Sequence, residues 1–136
     1  MVDRLTAGEA PRFVARLRAL AHKQAAAALR EMVDELAGRS IRVSACAIIG
    51  SCELPGDLDT ILASHPMIHT AEGALFRAAF RAAAEKLELP VVQLPARELP
   101  PVESIADIGL AAGRPWAKDQ RDACLAALVA LGRRKP

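Results

Sequence analysis

Aromatic side chains are scarce in this chain of 136 residues, which has one Trp, three Phe and no Tyr. Proteins that hold single-stranded nucleic acid on a sheet stack its bases on exposed aromatic rings, so this class is disfavoured. Hydrophobic residues nevertheless make up 52% of the chain. That share excludes a disordered chain and predicts a core of Ala, Leu, Val and Ile. The length predicts a single domain covering residues 1–136.

The chain also lacks long apolar runs and a strong excess of charge. No run reaches the roughly 20 apolar residues that cross a bilayer, so we expect no membrane partner. The segment Met1–Leu5 does not begin the apolar region of a signal peptide, which predicts a cytoplasmic protein. The net charge of +2 does not by itself indicate nucleic-acid binding. The excess of Arg over Lys and the abundance of Ala are typical of bacteria with GC-rich genomes, and we expect the charged tail Arg133–Lys135 to be solvated.

Paired cysteines and glycine-rich motifs are missing as well. Cys46, Cys52 and Cys124 are an odd set without a Cys-x2-Cys pair, so we interpret them as buried reduced thiols rather than as disulfides or zinc ligands. The chain contains no glycine-rich phosphate loop and no Gly-x-Ser-x-Gly nucleophile motif. The common nucleotide-binding and hydrolase signatures are therefore absent.

Hydrophobic spacing predicts an α/β fold with a few-stranded, mainly parallel sheet. The second half of residues 41–49 is apolar without alternation, as in a strand that is buried on both faces. A second strand is predicted at 91–94. Long helices are predicted at 11–37, 66–88 and 115–131, and short ones at 58–64, capped by Asp57, and at 104–112.

Helix 11–37 has a stripe of apolar residues at helical spacing, which we expect to face the core. A break near residues 22–24 is an alternative to one continuous helix. Residues 123–131 are apolar all round and are expected to be buried. Because two parallel strands are a poor unit by themselves, a homodimer that completes the sheet is one alternative. The stripe consists of Phe13, Leu17, Leu20, Ala28, Met32 and Leu36.

The segment His65–Gly73 contains the strongest candidate for chemistry. His65, His69 and Glu72 are spaced i, i+4 and i+7, so a helix places them on one side, which becomes apolar further along. Two imidazoles and a carboxylate can hold a transition metal or act as general acid and base, and we treat all three as candidate catalytic residues. The alternative is structural: a satisfied histidine, and a carboxylate that serves the helix dipole.

A second candidate site is acidic. Asp119 and Asp122 lie three residues apart at the start of the last predicted helix, and paired carboxylates suit Mg²⁺ or Mn²⁺. With Glu53 they form the candidate metal set. The alternative is a solvated first turn in which Lys118 and Arg121 are the partners of the two carboxylates. The candidate contacts to the phosphates of a nucleic acid are Arg77, Arg81 and Arg121.

The order of these elements resembles the C-terminal part of ribonuclease-H-like nucleases of the RuvC resolvase type. The likeness runs from residue 11 onward and rests on a buried strand, a long helix, a strand after Leu-Pro and a final helix that carries Asp-x2-Asp. In that family the late acidic pair binds the catalytic divalent metal, which implies the same role for Asp119 and Asp122. The chain departs from the family because it has no N-terminal strand with a catalytic Asp, and Glu53 lies in a loop.

Two functions therefore remain open. One is a degenerate ribonuclease-H-like domain that carries out metal-dependent phosphoryl transfer or binds nucleic acid. The alternative is a small-molecule-binding domain or a structural homodimer without catalysis. In open α/β sheets, ligands bind beyond the carboxyl ends of the strands, which here carry residues 50–53 and 95–98.

Overall fold

The computed structural model describes residues 8–132, and its element order confirms a helix-rich α/β fold. The expectations for Met1–Leu5 and for the tail Arg133–Lys135 lie outside the described residues. Two 3-10 turns, Ala96–Glu98 and Val102–Ile105, separate the second strand from the fourth helix. The helices are α1 (Glu9–Gly38), α2 (Leu58–Leu62), α3 (His65–Lys86), α4 (Ala106–Ala112) and α5 (Lys118–Gly132), and the strands are β1 (Cys46–Ile49) and β2 (Val91–Leu94).

The two strands form a short parallel sheet. Cys46 pairs with Val91, and the register continues to Ile49 beside Leu94. The first strand is therefore shorter than the expected 41–49, because the partner strand has only four residues. Pro90 and Pro95 flank that strand, and proline lacks the N–H that a continued ladder would need.

The core lies where α1 and α3 cover the sheet. Leu29 of α1, Cys46 of β1, and Ala83 and Ala84 of α3 are buried against one another. The small alanine side chains let the two helices approach each other and the sheet closely. α5 also packs against β1, so both α3 and α5 contact the sheet.

The expected core stripe of α1 is wrong in large part. α1 is continuous, without a break at 22–24, and its buried residues are Ala21 and Leu29. Phe13, Leu17 and Leu20 are exposed, as is Met32. Spacing locates an apolar stripe, but the partner helix decides which face is covered, and α3 covers the face that contains Leu29. Neither α1 nor any other helix within residues 8–132 is both long and apolar enough to cross a membrane.

α5 begins later than expected and is less buried than its composition suggests. It starts at Lys118 rather than at residue 115, because the Gln120 side chain accepts the Ala117 N–H at 3.0 Å and caps the first turn. Leu125, Ala126 and Ala130 are buried, whereas Leu128 and Leu131 are exposed. Only one face of this apolar helix is therefore covered.

Candidate functional site

Beyond the carboxyl ends of both strands lies a cleft of about 500 Å³. β1 leads into Gly50, and β2 ends at Leu94, whose carbonyl accepts the Gly50 N–H at 3.0 Å. The cleft lies where the sequence places a ligand site in an open α/β sheet. Its polar lining consists of Ser51, Cys52, Glu53, Arg81 and Gln93.

Gln93 holds the two sides of this cleft together. Its Nε2 donates to the Gly50 carbonyl at 2.7 Å, and its Oε1 accepts from Arg81 Nη1 at 3.0 Å. The Cys52 thiol lies 3.8 Å from the same Oε1. Sequence reasoning missed Gln93, although a single polar residue near the end of an apolar strand is a usable signal.

Arg77 fastens the loop after β1 to α3. Its Nε donates to the Ser51 carbonyl at 2.6 Å. The guanidinium lies between Gly50 and Gly73: a methyl group on Gly73 would be 3.0 Å from Nη1, and one on Gly50 would be 3.3 Å from Cζ. Gly50 also has φ +101°, a backbone conformation that favours glycine. The absence of a side chain at Gly73 therefore leaves room for the Arg77 guanidinium.

Arg81 lies beside the cleft and carries a surface ion pair. Its Nε donates to Glu85 Oε1 at 3.1 Å, one helical turn further along α3. Both side chains are about half exposed, so the pair contributes little to stability. A guanidinium has five N–H donors, and the described residues occupy only two of them here. The remaining donors of Arg81 are available to a ligand.

His65, His69 and Glu72 form a chain of hydrogen-bonding distances on α3. His69 Nδ1 lies 3.2 Å from Glu72 Oε2, and His69 Nε2 lies 3.1 Å from His65 Nε2. The i, i+4, i+7 spacing therefore brings all three together, as the sequence predicts. These three side chains do not extend a core stripe, however, because they are solvent-exposed, and Phe76, one turn further along α3, is exposed as well.

The expected acidic metal set is not gathered. Asp122 is paired with Lys118 on α5, Asp119 is exposed in the first turn, and Glu53 lies at the cleft. Within residues 8–132, no three His, Cys, Asp or Glu side chains are arranged to hold a metal ion together. Arg121 donates to the Trp116 carbonyl at 3.2 Å, a contact that holds the start of α5.

All three cysteines are free thiols, but the expectation that they are buried is wrong for Cys52 and Cys124, which are partly exposed. Cys46 is 7% exposed, and desolvation by burial raises the pKa of its thiol. A raised pKa disfavours the thiolate, so Cys46 is a structural residue.

A second, apolar groove of about 350 Å³ runs between α1, α2 and α3. The sequence does not predict this groove, because apolar spacing alone places the exposed stripe of α1 in the core. His22, further along α1, has a buried Nε2 to which no group within residues 8–132 is hydrogen-bonded. The larger apolar residues of the groove are Phe13, Leu17, Leu54, Leu58, Ile61, Leu62, Ile68 and Leu75.

Comparison of this chain with protein-family models, with curated proteins and with solved structures found no match. The resemblance to ribonuclease-H-like nucleases therefore stays a prediction from the order of elements and from Asp119 and Asp122.

Proposed function

We propose that this chain binds a small anionic ligand, of the phosphate or carboxylate class, in the cleft at the carboxyl edge of its sheet. One observation carries the proposal: Arg81 lines a cleft of about 500 Å³ and keeps N–H donors that the described residues leave unoccupied. Charge-assisted hydrogen bonds from a guanidinium to an oxyanion are among the stronger polar contacts that proteins make.

Hydrogen bonds within the protein already fix the groups that line the cleft in the absence of a ligand. Gln93 fixes the guanidinium of Arg81 on one side, and Arg77 fixes the Ser51 backbone on the other. Such positioning reduces the entropy that would be lost on binding. The neutral hydroxyl of Ser51 and the thiol of Cys52 supply further polar contacts.

The charges around the cleft favour a small ligand over a long nucleic-acid strand. Arg81 is the single cation among the residues that line the cleft, so it can pair with one anionic group but not with a row of phosphates. The net charge of +2 adds little long-range attraction. Nucleic-acid binding remains the competing outcome, and strong dependence of the affinity on salt would distinguish it.

Phosphoryl transfer has less support from the geometry than ligand binding has. The resemblance assigns the metal to Asp119 and Asp122, but Asp122 pairs with Lys118 and Asp119 is exposed in the first turn of α5. Binding requires only the donors in the cleft, so it is the function that the geometry supports best.

Calorimetric titration of the wild-type chain and of Arg81→Gln tests this proposal, with inorganic phosphate, pyrophosphate, a nucleoside triphosphate and a single-stranded oligonucleotide as probes. Loss of the guanidinium should weaken binding of a phosphate probe about tenfold or more, since a hydrogen bond to a charged group contributes roughly 1.5–3 kcal/mol. Arg30→Gln, an exposed position on α1, is the matched control and should change nothing.

Equal affinity of wild type and Arg81→Gln for every phosphate probe would contradict the proposal, as would no binding at all. Tight binding of the oligonucleotide alone, weakened steeply by salt, would point instead to nucleic acid.

We also propose homodimerisation as a second function, favoured by a separate observation. Phe13, Leu17 and Leu20 leave an apolar face of α1 exposed, and within the described residues the sheet has only two strands, each with an unpaired edge. A second copy related by a two-fold axis can cover the exposed face of α1. Sedimentation velocity over a range of protein concentrations tests this association.

A further inference from the structure

We propose that His65 and His69 form a binding site for a transition-metal ion, with Glu72 orienting His69 from behind. The site lies on the exposed face of α3 and uses none of the residues that line the cleft. It would take an ion that prefers imidazole ligands, such as Zn²⁺, Ni²⁺ or Cu²⁺, rather than Mg²⁺.

The contact between His69 and Glu72 decides which nitrogen of His69 is available. Glu72 Oε2 lies 3.2 Å from Nδ1, and a carboxylate only accepts, so Nδ1 carries the proton. Nε2 of His69 then presents its lone pair. Histidines that ligate metals commonly donate their other ring N–H to a carboxylate in this way, which fixes the tautomer and raises the basicity of the ligand.

The separation of the two Nε2 atoms suits a shared ion. They lie 3.1 Å apart. Two nitrogens at the usual zinc–nitrogen distance of about 2.0–2.1 Å are about 2.9 Å apart at a right angle and about 3.3 Å apart at a tetrahedral angle. The observed distance falls between these values. Because His69 Nε2 accepts in the hydrogen bond that now joins the rings, His65 Nε2 is the donor there. An ion replaces this hydrogen bond when His65 changes tautomer, so that its Nδ1 carries the proton and its Nε2 presents a lone pair to the ion.

The geometry of α3 places the rings of His65 and His69 side by side in the absence of an ion. Residues four apart lie on the same face of a helix, and the two rings meet edge to face with centroids 4.5 Å apart. The positive N-terminal end of α3 opposes a cation, and the carboxylate of Glu72 offsets that effect. With two protein ligands, the ion keeps water in its remaining positions, as open metal sites do. This arrangement is consistent with the absence of any three-ligand group among residues 8–132.

Competition titration of tag-free protein against a chromophoric zinc chelator, under reducing conditions, measures the affinity. His65→Ala and His69→Ala should each abolish binding at Zn²⁺ concentrations that saturate the wild type. Glu72→Gln should weaken it about tenfold, the usual effect of losing an outer partner of a ligating histidine. Glu85→Gln, another exposed carboxylate of α3, is the matched control and should leave the affinity unchanged.

The three histidines of the chain allow a direct readout by nuclear magnetic resonance. Zn²⁺ should shift the imidazole nitrogens of His65 and His69 and leave those of His22 unchanged. Failure of the wild type to bind Zn²⁺ would overturn the proposal, as would equal binding by either alanine variant. Loss of binding in Cys52→Ser, with His69→Ala unaffected, would also overturn it, because a thiol site would then be responsible.

Discussion

Among single residues, Gly109 has the strictest steric requirement. It lies in α4 beneath the indole of Trp116, and a methyl group at its Cα would overlap the ring. Gly109→Ala should lower the free energy of unfolding by about 1–2 kcal/mol. Overpacking of this kind costs about 1–3 kcal/mol, while the better helix propensity of Ala returns up to about 1 kcal/mol.

Gly38→Ala is the matched control for this substitution. Nothing lies within 4 Å of a methyl group at Gly38, which has a helical conformation at the end of α1. The same change should therefore stabilise the chain by about 0.5–1 kcal/mol. Urea denaturation measures both variants. Trp116 is the only tryptophan, so a red shift of its emission in Gly109→Ala reports the displaced ring. An unshifted spectrum with wild-type stability would contradict the prediction.

The candidate site shows which residues could be predicted from the sequence. His65, His69 and Glu72 meet because helical geometry alone brings positions i, i+4 and i+7 together. The contacts of Gln93 and Arg81 join a strand to a helix, and they depend on how those elements pack. No local pattern contains that information, so the placement of Arg81 at the cleft could not be predicted in detail.

At the scale of elements, the cap of α2 is a sequence prediction that the structure confirms. Asp57 Oδ1 accepts the Thr60 N–H at 2.8 Å, and this backbone hydrogen bond lowers the pKa of the Asp57 carboxyl. A lowered folded-state pKa means that the carboxylate stabilises the fold at neutral pH. The contribution is lost as the pH falls below the ordinary aspartate pKa of about 3.9 and through the lower folded-state value.

Asp57→Ala should therefore be less stable than the wild type at pH 7, and the difference should shrink as the pH falls below about 4. Thermal unfolding between pH 7 and pH 2.5 measures the gap. Asp57→Asn keeps a capping oxygen that does not titrate, so it should retain most of the stability at pH 7 and show less loss in acid. A gap between wild type and Asp57→Ala that is constant with pH would contradict this role of the carboxylate.

The ends of the elements were harder to predict than their existence. α1 continues through Gly38, one residue beyond its predicted end, and the positive φ that follows the helix is that of Ser40, at 61°. The first strand has only four residues because its partner strand, more than forty positions away in the chain, has only four. Termination thus depends on backbone conformations and pairings that hydrophobic spacing does not specify.

For the whole molecule, the main error of prediction concerns the apolar face of α1, which was expected in the core and is exposed. A stripe at helical period shows that one face is apolar, and it does not show whether the chain itself covers that face. Leu29 is 4% exposed and contacts α3 and β1, whereas Leu17 is 43% exposed. Substitution of Leu29 therefore tests folding of the protomer, and substitution of Leu17 tests association of two copies.

Leu29→Ala should lower the free energy of unfolding by about 2–5 kcal/mol at any protein concentration, because it removes a buried leucine. Leu17→Glu should leave protomer stability within about 0.5 kcal/mol of wild type, as most exposed substitutions do. It should, however, abolish the dimer in sedimentation velocity, since a charge on the apolar face opposes its burial.

Leu110→Glu, on the exposed side of α4, controls for the added charge and should leave the dimer intact. In a dimer the urea midpoint of the wild type also rises with protein concentration, because association stabilises only folded chains. Leu17→Glu should lose that dependence and Leu110→Glu should keep it. A wild type that sediments as a monomer at every concentration, with a constant midpoint, would leave α1 exposed in solution and exclude the homodimer.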